Sequence, residues 1–252
     1  RRDLKVDHML VFGPVVGARY GRFIDGSVIS IGSLKNNKIA VTPSSQTGVI
    51  AFISQWGSSG IQMGDRYIAP SKYFSQTDGP ILRFISRYAA GTDKRLLIVP
   101  RHLKGEPRRS AEEAYYAEIL GSDADFLEYE GEHQCYRSVD EAEIVVTVDS
   151  TVGYEAIARG KKTAMFSVRS GILGLDGLTY GWPGDFPDTG LFWTNRSDED
   201  EFERILEYLD QSSQAEWEED VDASGFKDLM LYDSGNSILK ALLSAELGIE
   251  ND

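Results

Sequence analysis

The sequence of 252 residues contains a single cysteine, Cys135, and only three histidines. One thiol cannot form an intrachain disulfide framework, so the sequence predicts a reducing, cytoplasmic environment. So few cysteines and histidines also supply too few ligands for a structural zinc site, and we expect no metal. Long apolar runs are missing as well, because none approaches the ~20 residues that a membrane-spanning helix requires.

The first residues carry two arginines, but Gly13 and Pro14 interrupt the apolar stretch that follows. This interruption argues against a secretory signal peptide, and we expect the chain to be part of a longer protein.

Basic residues are in the minority, with 26 lysines and arginines against 40 aspartates and glutamates, a net charge of −14. Much of the excess lies between Asp198 and Asp222, where twelve acidic residues accompany one basic residue, Arg204. An apolar stripe recurs there at helical spacing, formed by Phe202, Ile205, Leu206 and Leu209. This pattern predicts an amphipathic helix with a solvated acidic face. The acidity also argues against general nucleic-acid binding, so we expect no nucleic-acid partner.

Several common site motifs are absent. Neither Gly-x-x-x-x-Gly-Lys-Ser/Thr nor Gly-x-Gly-x-x-Gly occurs, which excludes the P-loop and the dinucleotide-binding fingerprint. The Gly-x-Ser-x-Gly elbow of α/β-hydrolases is missing too.

What is present is an alternation of strand-like and helix-like patterns. Predicted strands occupy residues 7–12, 27–31, 49–55, 95–100, 125–130, 143–149 and 162–167. Predicted helices occupy residues 17–24, 77–90, 110–120, 134–142, 152–160, 198–211 and 236–246. Ser110 and Glu113 have the spacing of a capping box at the start of one helix. The alternation predicts an α/β fold with a Rossmann-like parallel sheet flanked by helices.

A change of composition predicts a domain boundary. Residues 32–48 are rich in Gly, Ser, Asn and Pro, which is typical of a linker. We therefore interpret residues 1–47 as the end of a preceding N-terminal domain plus a linker. Residues 48–252 form the predicted Rossmann-like domain with C-terminal helices.

The turn after the predicted strand 143–149 is a candidate anion site. Asp149, Ser150, Thr151 and Gly153 occupy a junction between strand and helix, where unpaired backbone N–H groups attract phosphate. The two hydroxyls can donate hydrogen bonds, and Gly153 lets a ligand approach the backbone closely. Ser150 or Thr151 can equally serve as the helix cap, and both interpretations stay open.

Glu155 follows Ser150 by five residues and Thr151 by four, whereas a capping box requires a spacing of three. We therefore predict that Glu155 accepts hydrogen bonds from vicinal hydroxyls such as those of a ribose. The alternative is a surface glutamate that the helix dipole favours.

A second candidate site, VPRHLK at residues 99–104, also follows a buried strand. Arg101, His102 and Lys104 supply cationic or hydrogen-bonding groups that suit phosphate. The alternative is a solvated basic loop that continues through Arg108 and Arg109.

The long loop at residues 167–195 combines six glycines, two prolines, two tryptophans and Arg169. Loops of this length inside a compact domain are usually functional or disordered, and the aromatic content argues against disorder. The sequence leaves two interpretations open, a lid over a sugar or base and a hydrophobic plug packed on the core.

The stretches EIVVTVD, DSTVGYEAIARGKKTAMFS and GWPGDFPDTGLFWTN resemble bacterial surface-polysaccharide biosynthesis proteins. More broadly they resemble the donor-nucleotide half of GT-B glycosyltransferases and their relatives, including capsule Kdo transferases and glycerophosphotransferases. The resemblance extends from VDHMLVFG to the helix after FWTN. It implies the C-terminal half of a GT-B-like architecture and a nucleotide-sugar-dependent glycosyltransferase domain.

The resemblance also implies roles for individual residues. Arg101 and His102 are implied to be catalytic, although Leu103 replaces the proline that follows the histidine in several related capsule enzymes. The implied donor-binding residues are Asp149, Ser150, Thr151, Val152, Gly153, Glu155 and Arg169. No cofactor is implied beyond the nucleotide-sugar donor, which is expected to be CMP- or UDP-linked.

The implied partners are the donor, a glycan or lipid-linked acceptor and other polysaccharide-assembly proteins. A peripheral position at the inner face of the membrane is the corresponding expectation for location. GT-B enzymes usually bind the acceptor in the N-terminal domain, so this chain is expected to bind a nucleotide without catalysing transfer alone. The open alternatives are a non-catalytic binding or scaffold domain, a nucleotide-sugar epimerase and a glycerophosphotransferase of related fold.

Overall fold

The computed structural model describes residues 4–42, 48–57, 59–63, 65–121, 124–128 and 133–248. In chain order the strands are β1 (Leu4–Val11), β2 (Ile24–Ser30), β3 (Val49–Ile53), β4 (Ile61–Met63), β5 (Arg66–Ile68), β6 (Arg95–Val99), β7 (Ile144–Thr147), β8 (Thr163–Phe166) and β9 (Trp193–Thr194). The helices are α1 (Pro14–Tyr20), α2 (Leu34–Lys38), α3 (Asp78–Gly91), α4 (Arg109–Leu120), α5 (Gln134–Glu141), α6 (Thr151–Ala158), α7 (Arg169–Leu173), α8 (Glu199–Gln211), α9 (Gln214–Ala223) and α10 (Ser237–Leu247). A five-residue π-helical turn at Ser71–Ser75 precedes α3.

Within the described residues, the main sheet contains five parallel strands in the order β6-β3-β7-β8-β9. Beside β6, Phe126 forms one further parallel bridge with Ile98. In chain order the positions are β3 (1), β6 (2), Phe126 (3), β7 (4), β8 (5) and β9 (6). Their order across the sheet is therefore 3-2-1-4-5-6. This is the order of a doubly wound Rossmann sheet, and the predicted fold class is confirmed.

The sheet is buried on both faces, as parallel sheets require. Every residue of β3, β7 and β8 is buried. Ile50 and Phe52 join the larger core cluster, whereas Ala51 and Ile53 join a smaller cluster with α5 and α6 residues. The alternation along β3 therefore assigns successive side chains to opposite faces of the sheet.

Residues 4–30 contain a small two-stranded sheet of their own. β1 and β2 pair in parallel and α1 connects them. The predicted helix at 17–24 begins earlier, at Pro14, because proline at the first helical position has its φ already fixed for the helix.

The predicted linker contains ordered structure. α2 lies within it, and Asn36 and Asn37 are fully buried. The Arg159 guanidinium donates to the Asn36 side chain at 3.0 Å and to the carbonyl of Ile39 at 2.8 Å. The described part of this segment, residues 32–42, is therefore fastened to α6. Residues 43–47 lie outside the described residues, and the domain boundary at 47/48 stays a prediction.

One other local prediction is wrong, and another is borne out only in part. The capping box of Ser110 and Glu113 does not form, because α4 begins one residue earlier and Glu113 pairs with Arg109 at 2.6 Å. In the predicted strand 125–130, Phe126 forms only an isolated bridge, and residues 129 and 130 lie outside the described residues. A capping box does form at α9, between Ser213 and Glu216. The buried stripe of α8 is confirmed.

Among the described residues, none of the helices combines the length and apolar character needed to cross a bilayer.

Candidate functional site

A cavity of about 610 Å³ opens at the carboxyl ends of β3, β6 and β7. β3 and β7 are the adjacent strands between which the chain order of the sheet reverses. Ligands of open α/β sheets bind in the crevice outside such a switch point. The cavity is lined by Ile53, Ser54, Gln55, Gly57, Ser59, Gly60, Tyr73, Phe74, Val99, Pro100, Arg101, Arg108, Cys135, Ser150 and Val152.

The charged residues of this lining are all positive. Arg101 and Arg108 are its charged members, and no carboxylate occurs among the lining residues in the described part of the chain. Ser54, Gln55 and Ser150 add neutral hydrogen-bonding groups. Such a wall attracts an anion, and arginine provides the forked donor geometry that matches phosphate.

Ser150 serves as cap and cavity wall at once. It is the N-cap of α6, with extended backbone, and its hydroxyl accepts a hydrogen bond from the Val152 N–H at 3.2 Å. Both residues line the cavity. The two interpretations of this serine are thus compatible, because the N-terminus of α6 lies at the cavity. Thr151, the next residue, is exposed.

Gly153 lies in a tightly packed contact between α6 and the sheet. A Cβ atom at this position would lie 2.6 Å from the sulfur of Met165 and would also collide with the Thr147 methyl group. Glycine is therefore required here for close packing of α6 on β7 and β8. The predicted close approach of a ligand to this residue stays a prediction.

Glu155 is buried, contrary to the alternative of a surface glutamate. The Tyr136 hydroxyl donates to its carboxylate at 3.0 Å. Burial raises the pKa of Glu155, and hydrogen bonds from Ser33 and Tyr136 oppose that rise. Glu155 is not among the described lining residues of the cavity, so its predicted contact with a ribose stays a prediction.

Arg169 and Asp149 support the cavity from behind. The Arg169 guanidinium is fully buried, forms an ion pair with Asp149, and donates to Gln55 Oε1 at 2.6 Å and to Asp78 Oδ1 at 2.7 Å. It also lies 4.6 Å from the centre of the Tyr73 ring. Burial raises the pKa of both carboxyl groups, and the charge of Arg169 opposes that rise. Protein groups thus surround the Arg169 guanidinium, and its predicted direct contact with the donor stays a prediction.

Of the second predicted site, residues 99–104, only part lines the cavity. Arg101 lines it, whereas His102 lies beside it and is not among its described lining residues. The imidazole Nδ1 of His102 is 2.8 Å from the Glu112 carboxylate, and its ring packs edge-on against Trp56. Lys104 forms an exposed ion pair with Glu128.

The long loop at 167–195 is a hydrophobic plug. Tyr180, Phe192 and Trp193 are buried, and the Tyr180 and Trp193 rings stack with centroids 4.5 Å apart. The Gly181 N–H donates to the Tyr154 hydroxyl at 2.8 Å, which fastens the loop to α6. These three buried aromatic residues therefore do not form a lid. Trp182, the other tryptophan of the loop, is exposed.

Sequence reasoning missed several residues of the site. Gln55 follows β3 as Arg101 follows β6, so the same strand-end rule identifies it. Tyr73 and Phe74 come from the π-helical turn, and Glu112 from the first turn of α4. No spacing in the sequence connects these residues to the strand ends.

The family assignment agrees with this geometry. Residues 1–247 match the family described as "putative O-antigen biosynthesis protein". The chain therefore belongs to this O-antigen biosynthesis family, and the predicted relationship to surface-polysaccharide biosynthesis is confirmed. No curated protein matches the chain in sequence.

Solved structures show the same fold. A structure of the wall teichoic acid polymerase TagF soaked with CDPG is similar at 12% identity and a TM-score of 0.54, covering 96% of this chain and 56% of TagF. A TagF variant structure gives 14% identity and a TM-score of 0.54, covering 96% of this chain and 60% of that one. The O-GlcNAc transferase of Thermobaculum terrenum shows 11% identity and a TM-score of 0.42, and the match covers 95% of this chain and 44% of the transferase. The two TagF structures have the GT-B architecture, and the chain spans 56% and 60% of their length.

Proposed function

We propose that this chain is the donor-binding domain of a nucleotide-sugar-dependent glycosyltransferase in O-antigen assembly. The observation that carries the proposal is the cavity at the switch point, with two arginines, the N-terminus of α6 and no described carboxylate in its wall. Family membership supports the biosynthetic context. Because the chain spans little more than half of TagF, the acceptor and the activity of the whole protein are part of the proposal.

The donor's phosphates occupy the arginine end of the cavity in this scheme. Transfer joins the acceptor oxygen to the anomeric carbon, breaks the bond from that carbon to the phosphate oxygen, and leaves the electron pair on the nucleotide. The acceptor's proton passes to a base. Arg101 and the positive end of the α6 dipole stabilise the negative charge that develops on the leaving phosphate. His102 is proposed to act beside Arg101 as a catalytic residue, through the ring nitrogen that does not contact Glu112.

A second function is favoured by one comparison. The TagF structure was soaked with CDPG, so a related phosphotransfer from a cytidine nucleotide is the alternative reaction for this cavity. A non-catalytic scaffold domain and a nucleotide-sugar epimerase are the other two alternatives.

A panel of melting temperatures of the full-length protein tests the proposal. The ligands are CMP, CDP, UDP and GDP, with cytidine and uridine as phosphate-free controls. A ligand present at about 100 times its dissociation constant stabilises the folded state by about 2.7 kcal/mol. We expect a phosphate-bearing nucleotide to raise the melting temperature and its nucleoside to do so much less. If no nucleotide shifts it and the protein forms a stable complex with another assembly protein, the scaffold alternative replaces the proposal.

Product analysis then separates the two reactions. Incubation of the full-length protein with CDPG or with nucleotide sugars identifies which group reaches the acceptor. Transfer of the phosphate-containing group from CDPG would replace the glycosyltransferase assignment with the phosphotransferase one.

A further inference from the structure

Glu112 places a buried carboxylate directly behind the cavity wall. Its side chain is fully buried. One oxygen accepts hydrogen bonds from the Ser54 hydroxyl and from the Arg101 N–H at 2.8 Å. The other accepts from the His102 N–H at 3.1 Å and lies 2.8 Å from His102 Nδ1.

These four contacts join two loops of the sheet edge. Ser54 follows β3 and Arg101 follows β6, and both line the cavity. One turn further along α4, the Tyr116 hydroxyl donates to Ser54 Oγ at 2.7 Å, which fixes the same serine from a second side. α4 thus holds the relative position of the two loops, and the Glu112 carboxylate contacts both of them.

A carboxylate is costly to bury, and apolar side chains of similar size often serve a core better. In the described part of the chain its only ion-pair partner is His102, so backbone and hydroxyl donors provide most of its compensation. A carboxylate differs from an apolar residue in one respect: the groups that face it must be hydrogen-bond donors. Glu112 requires His102 to carry a proton on Nδ1, which leaves Nε2 as the proton-accepting nitrogen of the neutral ring.

We propose that Glu112 is a positioning residue for donor binding, acting through Arg101 and His102 without touching the ligand. The proposal rests on the proposed function, since the bound phosphate is the group that Arg101 would contact. Loss of the carboxylate releases the backbone of Arg101 and removes the acceptor that fixes the His102 tautomer.

A double-mutant cycle on the full-length protein tests the coupling. The variants are Glu112→Ala, Arg101→Ala and the double variant, titrated with whichever of CMP, CDP, UDP and GDP binds the wild type most tightly. We expect Glu112→Ala to weaken binding about tenfold, as expected for lost hydrogen bonds to a charged group. Because Glu112 acts partly through Arg101 and partly through His102, the loss in the double variant should be clearly smaller than the product of the two single losses. Losses that multiply in the double variant would overturn the proposal.

Glu113→Ala is the matched control. This neighbour on α4 is a partly exposed carboxylate that pairs with Arg109, and its removal should leave affinity within about twofold of wild type. If Glu112→Ala does not fold, Glu112→Gln takes its place in the cycle. The amide keeps the shape of the side chain, but only one of its two terminal atoms accepts hydrogen bonds. We therefore expect the nucleotide affinity to fall about threefold or more. Unchanged affinity in Glu112→Gln, with an unchanged histidine tautomer, would overturn the proposal.

Nitrogen chemical shifts of the His102 ring separate this proposal from the proposed function. They require no ligand, and we expect the Nδ1–H tautomer in the wild-type protein and a shift towards the Nε2–H tautomer in either variant. A wild type that binds none of the nucleotides overturns the proposed function and with it the positioning role, even when the tautomer is as expected. A wild type that binds nucleotide but carries the Nε2–H tautomer overturns the positioning role alone.

Discussion

The guanidinium of Arg169 donates to the carboxylate of Asp78 at 2.7 Å, and both side chains are almost completely buried. This ion pair joins the start of α7 to the start of α3, on elements that are far apart in sequence. Through the same guanidinium it also holds Gln55 and Asp149. The back of the cavity is therefore a charged network, and its integrity depends on one residue.

Arg169→Met should strongly destabilise the fold, because it leaves two carboxylates buried without their cation. Breaking one partner out of a buried ion pair costs about 3–5 kcal/mol. Urea unfolding at neutral pH measures the change in the free energy of unfolding. Arg87→Met is the matched control, because its pair with Glu199 is exposed and should contribute no more than about 1 kcal/mol. Equal effects of the two substitutions would contradict the structural role of Arg169.

Gly153→Ala distinguishes a packing glycine from a ligand-binding one. The added methyl group meets Thr147 and Met165, so we expect a destabilisation of about 1–3 kcal/mol. Nucleotide affinity of the folded fraction should change little. Gly91→Ala, near the end of α3, meets no atom within 4 Å and should be neutral or slightly stabilising. A variant that keeps wild-type stability but loses nucleotide binding would restore the predicted ligand role of Gly153.

Lys94 gives a prediction about pH. It lies 2.7 Å from Glu143 and 2.7 Å from Asp210. Burial lowers the pKa of Lys94, but hydrogen bonds to Asp210 and Glu143 outweigh this effect and raise it above 10.5. Burial likewise raises the pKa of Glu143, but hydrogen bonds from Lys94 and the Gly48 N–H outweigh it and lower the pKa below 4.5.

The signs of these shifts set the pH window. The contribution of Glu143 is complete above its ordinary pKa and is lost as the pH falls through its lowered folded value. The contribution of Lys94 is complete below its ordinary pKa and is lost as the pH rises through its raised folded value. Lys94→Met should therefore destabilise by about 1 kcal/mol at pH 7 and by clearly less near pH 3.5, measured by urea unfolding. A penalty that is the same at both pH values would contradict this account of the pair.

Much of the fold follows from the sequence, because apolar runs such as those of β3 and β7 and the stripe of α8 are local patterns. Ser150 and Arg101 were also predictable, since the ends of parallel strands meet at one sheet edge. The surroundings of Glu155 and Arg169 were not. The spacing of Glu155 marks it as unusual, but whether either charged side chain faces a ligand or a buried partner depends on distant residues such as Tyr136 and Asp78.

The loop at 167–195 shows the same limit. Its composition fits a lid and a plug equally well, because aromatic residues serve both. Contacts such as that between Tyr180 and Trp193 show that the loop is a plug. Such contacts depend on how the loop folds back on the sheet.

Calorimetric titration of the full-length protein with CMP, CDP, UDP and GDP tests the central claim most directly. Arg101→Ala and Arg108→Ala are compared with Arg95→Ala, an exposed arginine at the opposite end of β6. The account predicts that at least one nucleotide binds the wild type, that each cavity variant weakens binding about tenfold, and that Arg95→Ala stays within about twofold. Absence of binding to every nucleotide, or an equal loss in Arg95→Ala, would contradict it.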